Sequence, residues 1–357
     1  MGTYQTTADG EVYTVIDAGT SVYWAVITGA ASDEIFGTLN APGFAVELTR
    51  SDLGAKAYGN GLYAITGYPG QSFPQLATTS YTVSYTLTAP GYRDFPMSVT
   101  IPTGTTVFPV GASASAMRLL PVTVQGRVVS GTTRLPIGGA AIASIDNPSA
   151  PPTVHVTALR SPLYCAHAAG AAAQPVIIAT TGSATLTAAV TGGDQMLNLS
   201  DRTGLAAGSI VRLTYAVGVW VEYGVVASLG PGPASASGQV FLTNALNSSY
   251  PTAGTVVDFV SATPSGGGAT LSSDADAGDG VLLASQLFSQ TVALETGTPQ
   301  YEIHEIGAIS GGDGYYILAG IGRVQEIFLQ ATSGASNQTA NWFLEYDQAL
   351  NTVNFQL

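Results

Sequence analysis

The sequence predicts an all-β protein: two tandem β-sandwiches, the second interrupted by an inserted small β-barrel or sandwich. Three observations lead there. Apolar and polar residues alternate with period two in short runs, and no run sustains a helical period. Gly, Pro, Asn and Asp break those runs every eight to twelve residues or so, the turn spacing of all-β folds. Finally, one strand-turn pattern occurs twice, at very different internal spacing.

The first sandwich is assigned to residues 1–118. Its strands include "AVELT" (45–49) and "YTVSYTLTA" (81–89), with Pro-Gly turns at Pro69-Gly70 and Pro90-Gly91. In "NGLYAITG" (60–67) an Asx-Gly pair tolerates the positive φ of a hairpin turn, which places Tyr63 and Ile65 on one strand face. The second sandwich opens at 119–150 with "VTVQGRVV" (122–129) and "GTTRLPIGGAAIASID" (131–146). Its Asx-Gly element, "DGYYILAG" (313–320), comes much later in the chain. An insertion over 151–300, with the sandwich resuming at 301–357, accounts for the gap. A longer loop costs free energy only logarithmically, so insertion at a loop tip is tolerated. "DNPSAPP" (146–152) has the composition of such a junction.

The insert carries internal similarity of its own. "LSDRTGLAAGSIVRLTY" (199–215) resembles "LSSDADAGDGVLLAS" (271–285), and "VTALRSPLYCAHAAG" (156–170) resembles "LTNALNSSYPTAG" (242–254).

Composition narrows the function classes. Only 9% of residues are charged, against roughly 25% in ordinary soluble domains. A surface so poor in charge is weakly protected from association, which suits a chain covered by neighbours in an assembly. The net charge of −13 disfavours nucleic acid and anionic membranes as partners. A single cysteine, Cys165, excludes an internal disulfide. The opening "MGTYQTTADGEVYT" lacks the basic and apolar regions of a signal peptide, so synthesis in a host cytoplasm is expected.

The motifs bear a family resemblance. "VQGRVVSGTTRLPIGGAAI" (124–142), followed by "DGYYILAGIGRVQEIFLQA" (313–331), resembles the carboxypeptidase regulatory-like, or transthyretin-like, β-sandwich. Pro136, Gly139 and Ala140 match its P-x-x-G-A turn. The first domain resembles a divergent version, with "NGLYAITG" and "TLTAPGYRDFPMSVTIP" (86–102) in the corresponding places. The insert's "GLAAGSIVRL", "VEYGVVASL" and "GQVFLTNAL" resemble β repeats of phage tail and other virion proteins. Together these imply a non-enzymatic structural component of a phage or phage-like contractile tail, a baseplate part or tail-fibre adaptor located in the virion. Other tail or virion proteins would be its partners in a symmetric assembly. The alternative is a receptor- or glycan-binding module with the inserted domain as its tip.

Chemistry-bearing residues are few, and no catalytic residue or cofactor is expected. Cys165 and His167 stand two apart and would share a strand face; with a third ligand they could hold zinc. No further metal motif accompanies them, and they read as a buried thiol and a hydrogen-bonded imidazole, so no metal is expected there. Glu302 and His304 share a face and read as an edge-strand ion pair. Zinc-peptidase, P-loop, dinucleotide and serine-elbow signatures are absent from the sequence. "DADAGDG" (274–280) makes Asp274, Asp276 and Asp279 a weak candidate calcium site; its spacing departs from the helix-loop-helix pattern, and a solvated β turn is the reading taken. Trp220 and Glu222 alternate against valines and form a candidate interaction surface.

Overall fold

The computed structural model describes residues 4–8, 11–15, 24–67, 72–105, 107–147, 154–215, 220–288, 290–295, 301–348 and 350–357. The expected turn at Pro69-Gly70 and most of the 146–152 junction lie outside them. The protein is all-β: among the described residues its elements are strands and one 3-10 turn at Ala112–Ala114. It divides into two compact units, Met1–Leu120 and Pro121–Leu357.

The first unit packs two sheets around one core. One sheet runs in the order Phe108–Val110, Trp24–Ala30, Leu62–Gly67, Leu53–Ala57; the other in the order Ala45–Leu48, Tyr81–Thr88, Phe95–Ile101. Period two decides what is buried. In Tyr81–Thr88 the inward residues Val83, Tyr85 and Leu87 are almost wholly buried, while Ser84 and Thr86 between them are not. Tyr63 and Ile65 are buried on the facing sheet, and the Tyr63 and Tyr85 hydroxyls bond at 2.9 Å across the core. Gly29 makes room for this pair, since a Cβ there would lie 2.3 Å from the Tyr63 ring.

In the second unit, Val122–Val129 lies between Tyr315–Ile321 and the C-terminal strands Leu350–Thr352 and Phe355–Gln356. A second sheet runs Ala308–Ile309, Ala141–Ser144, Glu326–Ser333, Ser336–Phe343. Val124, Val128, Tyr316, Leu318, Ile142 and Leu329 fill the space between them. The Asx-Gly hairpin expected at Asp313-Gly314 differs from what is found. Those residues join Ala308–Ile309 of one sheet to Tyr315–Ile321 of the other, so the turn bridges sheets. The cause is a close approach: Gly314 has φ +76°, and a Cβ on it would sit 2.4 Å from the Val128 carbonyl oxygen. The Asn60-Gly61 turn does join paired neighbours, Leu53–Ala57 and Leu62–Gly67.

The tightest contact is at Gly126, where a Cβ would meet the Val353 carbonyl oxygen at 1.7 Å. Gly126→Ala must therefore push the C-terminal strand off its neighbour. We expect a loss of about 3 kcal/mol in urea unfolding. Gly312→Ala, which meets nothing within 4 Å, should be neutral or slightly stabilising. Equal stabilities for the two variants would contradict the packing described.

Strands between Ala172 and His304 form an open nine-stranded sheet with Met196–Leu199 and Glu302–His304 at its ends, rather than a closed barrel. This region is built twice. Thr185 N donates to Ser200 Oγ (3.0 Å), and one repeat later Thr270 N donates to Ser285 Oγ (3.1 Å). Thr191 N reaches Asp194 Oδ2, as Asp276 N reaches Asp279 Oδ2, both at 2.8 Å. Leu242 N bonds Gln195 O, as Leu159 N bonds Gly280 O, both at 2.7 Å. These bonds pair 186–200 with 271–285, and the turn within 199–215 that the letters match to 271–285 repeats the pattern again, with Ala206 N donating to Ser209 Oγ at 2.9 Å.

The copies exchange parts. Leu163 of the first copy bonds Asp279 and Gly278 of the second; Leu246 of the second bonds Asp194 and Gly193 of the first. One core therefore joins Leu159 and Leu163 to Leu271, Leu282 and Leu294. The other joins Leu197, Val211 and Leu213 to Leu242, Leu246 and Tyr250. The long strands Ala172–Thr185 and Thr255–Pro264 run antiparallel between them, with Val176↔Pro264 and Thr180↔Val260 flanking Ile178↔Ala262.

Candidate functional site

Each copy buries one glutamate under the turn contributed by the other. In the first copy this is Glu222, on the interior strand Trp220–Leu229; in the second it is Glu302, on the edge strand Glu302–His304. Glu222 accepts from Asn247 N (2.6 Å), Ser248 N (3.2 Å) and Tyr250 Oη (3.1 Å). Glu302 accepts from Tyr164 N (3.0 Å) and Cys165 N (2.8 Å), the equivalent backbone groups. The shared task is structural, because two turn amides with no strand partner are satisfied by one carboxylate.

The side chains around the two carboxylates differ. Where the first site has Ser248 and Tyr250, the second has Cys165 and His167. Cys165 Sγ stands 3.1 Å from Glu302 Oε1 and 3.5 Å from His167 Nε2. His167 Nε2 lies 3.4 Å from the same Glu302 oxygen. His167 Nδ1 pairs with Glu295 Oε2 at 2.9 Å, and His304 Nε2 holds Glu302 Oε2 at 2.6 Å. His167, Glu302 and His304 are each no more than 4% exposed. A small crevice bordered by Tyr164, Tyr223, Asn244, Glu302 and His304 opens beside them.

These neighbours set opposite protonation behaviour on equivalent carboxylates. Burial pushes Glu222 up to about 7, its hydrogen bonds opposing only part of that. Burial acts on Glu302 as well, but hydrogen bonds from His167 and His304 outweigh it and hold the carboxyl at about 2. Burial, then the Glu302 carboxylate, push the Cys165 thiol up to about 12. Cys165, His167 and Glu295 have the order of nucleophile, base and orienting acid, yet an anionic oxygen 3.1 Å from the sulfur opposes thiolate formation. Their geometry suits ligation better than nucleophilic attack.

The other residues that the sequence singles out fall elsewhere. Glu222 is 2% exposed and belongs to no surface; the side chain of Trp220 lies outside the described residues. The reason is that the strand is interior to a sheet covered on both sides: Leu213 and Val226 pack in one core, Val221 and Tyr223 in another. Asp274, Asp276 and Asp279 do not gather around a common point. Among the described residues the one set of three metal-ligand groups that converges is Cys165, His167 and Glu302. Asp279 caps the amide of Asp276 and Asp274 caps that of Ala169. The Arg323 guanidinium brings positive charge there, 3.7 Å from Asp279 Oδ2 and bonded to the Asp274 carbonyl. No motif points to Glu295 or Arg202.

No family model matches the chain, and no curated protein matches it. Two crystal structures of BcpA, the major pilin subunit of Bacillus cereus, one of them a point variant, align with 94% of this chain and 99% of the pilin. Identities are 9% and 6%, and TM-scores 0.19 and 0.18, for the parent and the variant respectively. Likeness at that level carries no argument about what this chain does.

Proposed function

We propose that the chain is a non-enzymatic structural subunit of a phage or phage-like contractile tail, such as a baseplate part or tail-fibre adaptor, built from transthyretin-like sandwiches. In this reading its work is geometric: rigid β modules hold neighbouring subunits in fixed positions, and the duplicated region at 151–300 reaches a further partner.

One observation carries the reading. The strand Ser336–Phe343, "SNQTANWF", forms the edge of its sheet, pairs with Glu326–Ser333 along its whole length without a bulge, and carries no charge or proline. Phe343 on it is 63% exposed. Monomeric proteins protect such edges with Lys, Pro or bulges, because an open edge pairs with other chains. Here none of these is present, and only 9% of the whole chain is charged. No observation favours the glycan-tip alternative, since Glu222 is buried.

Sedimentation velocity over a concentration series tests this. The wild-type chain should associate, and Thr339→Lys combined with Asn341→Lys on the edge strand should shift it to monomer. A wild-type chain that stays monomeric throughout while binding a defined glycan would overturn the reading.

A further inference from the structure

We infer that Cys165, His167 and Glu302 form a binding site for a zinc ion. Around a tetrahedral zinc with bonds of about 2.0 to 2.3 Å, neighbouring ligand atoms stand about 3.3 to 3.7 Å apart. Cys165 Sγ and Glu302 Oε1 stand within that range of His167 Nε2, at 3.5 and 3.4 Å, and the 3.1 Å between sulfur and oxygen has only to open by roughly a few tenths of an ångström to admit the ion. The mixture of thiolate, imidazole and carboxylate suits zinc among the divalent ions. Water takes the fourth position.

The surroundings are those of a ligand set. His167 reaches the ion's place through Nε2 while Nδ1 is held by Glu295 at 2.9 Å, the carboxylate–histidine arrangement that fixes ring orientation around zinc. His304 steadies the other oxygen of Glu302 at 2.6 Å. Glu295 has φ +47°, in the left-handed region that a glutamate rarely adopts, and from there it reaches His167. The duplication supplies the control. The first copy builds the same turn over Glu222 with Ser248 and Tyr250 in place of Cys165 and His167. Thiol and imidazole are therefore not needed to close the turn, and their meeting in one copy alone is left for a ligand to explain.

That control also gives variants expected to fold. Cys165→Ser and His167→Tyr place in the second site what the first already accommodates. The full chain, stripped with chelator, is titrated with cobalt(II) and followed by absorption. We expect one ion per chain, with tetrahedral d–d bands, a sulfur-to-cobalt charge-transfer band, and displacement of both by zinc. Cys165→Ser should lose the charge-transfer band, His167→Tyr should lose binding, and Glu295→Gln should weaken it about tenfold or more. Circular dichroism checks that each variant keeps its strands. A folded wild-type chain that takes up no stoichiometric cobalt, or a folded double variant Cys165→Ser, His167→Tyr that binds as the wild type does, overturns the site.

Discussion

Replacing Arg202 with alanine should cost roughly 5 kcal/mol and release the loop at 230–238. The side chain is fully buried and its guanidinium donates only to backbone carbonyls: Ala236, Gly230, Gln239, Pro231 and Pro233, at 2.9 to 3.4 Å. The loop "GPGPASASG" has little else to order it. Its prolines lack amides, its glycines are conformationally costly to fix, and no large apolar residue anchors it. One planar, five-donor cation substitutes for a missing hydrophobic core. Removal takes the side-chain donor from the buried Gly230 carbonyl and from the part-buried Pro231 and Ala236 carbonyls at once, and leaves a cavity. Arg202→Lys keeps the charge but not the fork, and should cost about 2 kcal/mol. Because a chain with several cores need not unfold in one step, hydrogen exchange across 230–242 is a better readout than a global midpoint. If the loop stays protected in Arg202→Ala, something other than the guanidinium holds it.

The second large effect concerns Glu222. Glu222→Ala strips acceptors from Asn247 N, Ser248 N and Tyr250 Oη at once, for an expected loss of about 4 kcal/mol. The pH dependence follows from burial raising its folded pKa to about 7, above the ordinary 4.5. An acid with a raised folded pKa stays protonated in the fold while the unfolded chain ionises. The unfolded state therefore gains as pH rises from about 4.5 to about 7. Stability contributed at low pH is lost across that window, to a limit of roughly 3 kcal/mol, and is flat above it. Glu222→Gln should remove that slope when urea midpoints of metal-free protein are compared across the window. An unchanged slope would assign the titration to another group.

How much of this is legible in the sequence depends on the range over which each feature acts. Period-two alternation sorts Val83, Tyr85 and Leu87 from their serine and threonine neighbours, because the pleat is a local property. The Asx-Gly pairs mark positive φ at Gly61 and Gly314, also local. Alternation does not tell whether both faces of a strand are covered, so by its pattern Glu222 reads as a surface residue. The letters also show that the insert is repetitive, but its register emerges only from recurring bonds such as those of Thr185 and Thr270. Cys165 and His167 are visible as a pair two residues apart, but the strand face expected for them is a turn, in which His167 makes an isolated bridge to Ala275. Glu302, their third partner, comes from a strand far along the chain that the exchange of parts brings under their turn. Arg202 leaves no trace, since its partners are carbonyls that every residue carries.

The most direct measurement is immunogold electron microscopy on particles released by cells that make this protein, using antibody raised against the purified chain. For a tail subunit, gold is expected at one defined level of a tail structure, at the same distance from its end in every particle. Gold confined to soluble material, with tails unlabelled, would contradict that role.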